Sequence, residues 1–113
     1  MHLGDIPLEA YDNAVHVGLV AWDIETSGLN WNEDLISTCQ VYIPGTKIYI
    51  VRINETQPTY LGQLLSSPTI RKVFHHAMFD LRFMVNKWHF PISNIACTKI
   101  ASKVLYKQYS RTL

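Results

Sequence analysis

VGLVAWDIETSGLN, Val17 to Asn30, is the stretch from which the fold can be read. Alternation puts Val17, Leu19 and Ala21 on one side and Val20, Trp22 and Ile24 on the other. An extended segment apolar on both sides predicts a central strand buried on both faces, running from Val17 to Ile24. Ser27-Gly28 turns the chain. Leu35 to Ile43 and Lys47 to Ile53 then read as two further strands joined at Pro44-Gly45, an antiparallel meander.

Beyond the meander the period changes. Pro58 opens a short helix carrying Leu61, Leu64 and Leu65, closed before Pro68. Arg71 to His75 reads as a strand. From Ala77 to Trp88 the positions Leu81, Met84, Val85 and Trp88 make a helical stripe. A brief extended piece near Asn94 to Cys97 leads into a last helix from about Thr98, with Ile100, Ala101, Val104 and Leu105 on its core face. The order β-β-β-α-β-α-β-α predicts an α/β fold, a mixed sheet with helices packed on it.

With 113 residues, 48% of them hydrophobic and 17% charged, the chain is expected to form one ordinary globular domain. The formal net charge is only +1, but residues 1–46 hold seven acids and no Lys or Arg, whereas all ten basic residues follow from Lys47 with only Glu55 and Asp80. Such asymmetry suits either a surface facing an anion or two solvated faces. An acidic start without a basic signal region, and no apolar run near the ~18 residues of a membrane span, lead to the expectation of a soluble cytoplasmic protein that does not engage a membrane. Cys39 and Cys97 form no CxxC pair and read as reduced thiols rather than zinc ligands.

Asp23 and Glu25 stand two apart at the end of the central strand, so both carboxylates aim to one face. Either the strand has left the core there and both are solvated, or a hard divalent cation relieves their repulsion. Asp80 falls in the first turn of the Ala77–Trp88 helix, where free N–H groups favour an anion.

AWDIETSGLN (Ala21 to Asn30) resembles the first motif of the DEDD family of 3′-5′ exonucleases, and KVFHHAMFDLRFM (Lys72 to Met84) resembles the second. IACTKIASKVL (Ile95 to Leu105) and HLGDIP (His2 to Pro7) are similar to the branch of NanoRNase C and ribonuclease D. The resemblance implies a ribonuclease H-like sheet and makes Asp23, Glu25 and Asp80 three of the four metal-binding acids. They would hold two Mg²⁺ or Mn²⁺ ions for hydrolysis of RNA, down to short oligonucleotides or dinucleotides, releasing nucleoside 5′-monophosphates. Thr26 and Leu29 match positions that contact the terminal nucleotide, Leu29 as an apolar wedge, although a turn-flanking core residue is an equal reading. His75 and His76 stand where the family often has His-Asn, and either is a candidate for a substrate phosphate. Phe79 is a candidate to stack on a base, or else packs beside the core stripe. Lys99, Lys103, Lys107 and Arg111 form a basic stripe suited to a phosphate backbone or to plain solvation. Cys97 replaces an aspartate of many relatives.

No acid follows Asp80, so the family's fourth aspartate and third motif are absent. Residues 1–113 are therefore expected to be a partial exonuclease domain. Its sheet would keep an exposed apolar patch, covered by self-association or by a partner. The alternative is a catalytically inactive nucleic-acid-binding or assembly module on the same scaffold.

Overall fold

A computed structural model describes residues 1–98. Among these the order is β1 (His2–Leu3), α1 (Leu8–Val17), β2 (Leu19–Thr26), β3 (Ile36–Tyr42), β4 (Ile48–Arg52), α2 (Thr59–Ser66), β5 (Arg71–Phe74), α3 (Ala77–Trp88) and β6 (Ile95–Cys97). The strands form one mixed sheet in the order β1-β4-β3-β2-β5-β6. The expected meander is present, since β2–β3 and β3–β4 pair antiparallel. The pairs β1–β4, β2–β5 and β5–β6 are parallel. The expected final helix, with its core face and its basic stripe, lies outside the described residues from position 99 onward.

Three expectations need correction. The order does not open with the meander, because β1 and α1 precede it. Val17 ends α1 instead of opening the central strand, because Gly18 adopts φ 77° and its N–H closes the helix on the Ala14 carbonyl. A left-handed residue of this kind ends a helix cheaply only as glycine. The central strand is also buried on one face, not two. Val20, Trp22 and Ile24 are buried, while Leu19, Ala21, Asp23 and Glu25 are exposed.

The buried face assembles the core. Trp22 stacks on Phe74 with ring centroids 5.7 Å apart and lies 6.4 Å from Trp88 of α3. Cys39, Val41, Tyr49 and Val51 extend the same layer. The Cys39 thiol is pushed up to about 12 by burial, which keeps it protonated and inert. Ala10 and Ala14 give α1 its buried side, and Tyr11 stacks on Tyr60 of α2 at 5.7 Å. Parallel crossovers turn the same way, which places α2 and α3 on this one face. Among the described residues no helix is long and apolar enough to cross a membrane.

Candidate nuclease site

The site forms where β2 and the β5–α3 turn meet. Asp23 and Glu25 occupy the open face of β2, paired in register with Gln40 and Thr38 of β3. The register then shifts between Glu25 and Thr26. Such an irregularity bends a strand and re-aims its side chains next to functional clefts. Thr26 is half-buried, and its hydroxyl donates to the Gly28 carbonyl at 2.6 Å.

On the other side, Phe74 leads through His75 and His76 into α3, whose first turn carries Asp80. Asp80 is only 4% exposed. Asp23, Asp80, His75, His76 and Phe79 line one cavity of about 330 Å³ together with Trp22 and Ile24. Glu25 does not line it, yet its charge reaches Asp80. Burial first, then the Asp23 charge and the weaker influence of Glu25, push Asp80 up to about 7, against a backbone hydrogen bond from Ile24 that pulls it down.

The histidines stand at the cavity mouth. His75 is exposed, with Nδ1 3.0 Å from the Thr98 hydroxyl, and its ring meets His76 edge-on at 4.8 Å. Phe79 is half-buried and lies 5.1 Å from Phe83, so one side of its ring packs on the core while it also borders the cavity. Leu29 is 85% exposed, which removes the core reading of that residue. It lies outside the cavity lining, on the loop that follows Thr26.

One contributor, Cys97, was noted in the sequence only as a replacement for an aspartate of many relatives, without the role the structure gives it. The Cys97 thiol accepts from the Ala77 N–H at 3.3 Å and donates to the His75 carbonyl at 3.2 Å, bracing the turn that launches α3. Cys39 is a free thiol.

The residues suit a hard divalent cation. Two carboxylates share the cavity, and one is held near neutrality by burial and repulsion, a conflict that a cation relieves. The set is open, because among the described residues no group of three or more His, Cys, Asp or Glu side chains is poised to hold a metal. Mg²⁺ commonly uses one or two carboxylates with substrate phosphate filling the rest.

A family model described as 3′-5′ exonuclease matches residues 7–113. Among solved structures, NrnC of Brucella melitensis superposes with a TM-score of 0.83 at 32% identity, over 95% of this chain and 52% of that one. NrnC has also been solved with bound Mg²⁺ and bound to pGG. The catalytic core of RRP6 from Trypanosoma brucei gives a TM-score of 0.74 at 25% identity, over 92% of this chain and 31% of that one. RNase D of Escherichia coli, at 17% identity and a TM-score of 0.67, shares the fold. No curated protein matches the sequence. The chain spans about half the length of NrnC, and its mixed sheet is the ribonuclease H-like architecture of these neighbours.

Proposed function

The chain belongs to the 3′-5′ exonuclease family, and we propose that it is the metal-binding part of an exoribonuclease domain acting on short oligoribonucleotides or dinucleotides. The observation that carries this reading is the cavity shared by Asp23 and Asp80. NrnC bound to pGG supports the short substrate, and RRP6 supports RNA. A cytoplasmic setting goes with this reading.

Hydrolysis of the terminal linkage joins a water oxygen to phosphorus and breaks the bond to the upstream 3′ oxygen, which leaves as a hydroxyl. The released product is a nucleoside 5′-monophosphate. Asp23, Glu25 and Asp80 would hold one or two Mg²⁺ or Mn²⁺ ions. When bound, the ions supply the positive charge that activates water and stabilises the leaving oxygen. Asp80 enters this arrangement as the buried carboxylate that gains most from a cation. His75, tethered to Thr98, and His76 present ring N–H groups to a phosphate. Phe79 offers a ring face to a base, while Thr26 and Leu29 receive the terminal nucleotide.

A second reading is favoured by a specific observation. Among the described residues the acids do not close a three-ligand cluster. On that reading the chain binds nucleic acid or assembles without cleaving. The two separate when wild type and Asp23→Ala are incubated with a 5′-labelled dinucleotide and a longer RNA in Mn²⁺. Mononucleotide release that disappears in the variant is the result expected of the exonuclease. Intact substrate in both, from folded protein, would mean that cleavage needs groups these residues do not supply, and RNA binding left unchanged by Asp23→Ala would favour the binding module.

A further inference from the structure

The loop between β2 and β3 is organised around one carboxylate that the metal chemistry does not use. Asp34 is half-buried. Its Oδ2 accepts the Asn30 N–H at 2.9 Å and its Oδ1 accepts the Ser27 hydroxyl at 3.2 Å. The Ser27 hydroxyl oxygen in turn accepts the Leu35 N–H at 2.9 Å, and the Ser27 N–H donates to the Leu35 carbonyl at 2.9 Å. Gly28 lies against the same group, and a Cβ added there would stand 2.4 Å from Asp34 Oδ2. From outside, the Asn86 side chain of α3 donates to the Trp31 carbonyl at 3.2 Å. The carboxylate thus gathers both arms of the loop, and Leu29 is left standing out at 85% exposure between the two residues it binds, Ser27 and Asn30.

A loop leucine so exposed, three residues beyond the strand that carries Asp23 and Glu25, costs ordering entropy unless something fixes its backbone beforehand. We propose that Asp34 is a positioning residue that fixes the Ser27–Leu35 loop so that Leu29 is held ready for the terminal nucleotide of a short RNA. This rests on the exonuclease reading above. Asp34 touches no substrate, and its influence runs through Leu29.

The test is a double-mutant cycle on binding of a 5′-fluorescein-labelled short oligoribonucleotide, read by anisotropy with Ca²⁺ replacing Mg²⁺ and with thermal midpoints measured in parallel. Asp34→Ala and Leu29→Ala are each expected to weaken binding by about tenfold. The double variant should be no weaker than the worse single one, because both remove the same contribution. Asp34→Asn, which keeps an acceptor for one of the two donors, should recover part of the affinity. Gly28→Ala, which displaces the carboxylate without removing it, should reproduce the loss. Glu33→Gln removes an adjacent exposed charge and should bind as wild type does. Wild-type affinity in Asp34→Ala, or losses for Asp34→Ala and Leu29→Ala that add, would overturn the inference alone. Failure of wild-type protein to bind the RNA would overturn the exonuclease reading and the inference with it.

Discussion

Asp80 shows how one residue can weaken a fold and serve a site. A carboxyl pushed up to about 7 by burial and by Asp23 binds a proton in the folded chain over a pH range where the unfolded chain has released it. Metal-free protein is therefore expected to lose stability as pH rises from about 4 through 7, and to lose no more above that. Asp80→Asn should remove this slope and stabilise metal-free protein at pH 8 by on the order of 2 kcal/mol, measured by urea denaturation, while abolishing any cleavage. A variant no more stable than wild type at pH 8 would contradict the burial argument. The place of Asp80 was legible from sequence, because a first-turn acid follows from the stripe of Leu81, Met84 and Trp88. Its nearness to Asp23 and Glu25, which lie on β2 far away in sequence, was implied only by the family resemblance, and its burial was not legible at all. Leu29 shows the same limit, because loop and core readings of a leucine after Ser-Gly differ only in which side faces solvent.

At the scale of elements, α2 is held at both ends by residues from elsewhere. Its N-cap, Pro58, has no side-chain acceptor, and Asp5 takes that role, receiving the N–H groups of Tyr60 at 2.7 Å and Leu61 at 2.9 Å. Asp5→Ala should lower stability by about 2 kcal/mol, as expected when helix-end donors lose a charged acceptor, and chemical denaturation measures it. At the other end the fully buried Lys72 donates its ammonium to the Ser67 carbonyl. Burial lowers Lys72 to about 8, so between pH 8 and 10.5 the unfolded chain binds the proton that the folded chain has lost. Stability should rise with pH across that window and stay level across it in Lys72→Met; an identical rise in both proteins would sink the assignment. These tethers explain what could be read in advance. The meander, α2 and α3 announce themselves by period, but α1 buries only Ala10 and Ala14 and leaves Leu8, Val15 and Val17 exposed. A helix seated on two alanines has no apolar stripe, and Val17 joined the following strand in the reading because only Gly18 marks the break. The strand β1 is two residues long, below what alternation can register.

At the scale of the whole molecule, the sheet of the described residues is one-sided. The helices among them, α1, α2 and α3, cover the face of Val20, Trp22 and Ile24, while the opposite face presents Leu19, Tyr42, Ile48 and Ile50 at 38%, 41%, 59% and 40% exposure. Register brings these together, since Tyr42 pairs with Ala21 on one side and Ile48 on the other, and Gln40 pairs with Ile50. The sequence reading expected an exposed apolar patch, although the alternation within β2 argued for burial on both faces. The two expectations conflict only if the covering layer must come from the described residues. A contiguous apolar sheet face of this kind favours association, because burying it releases the water it orders. The chain is therefore expected to self-associate with rising concentration, and Ile48→Glu combined with Ile50→Lys to hold it monomeric. Both side chains point away from the core, so the pair should shift stability by no more than about 0.5 kcal/mol per position. Sedimentation velocity across a concentration series decides the matter. A wild type that stays monomeric throughout would mean that the face is tolerated in water, and a double variant that still associates would move the contact elsewhere on the surface.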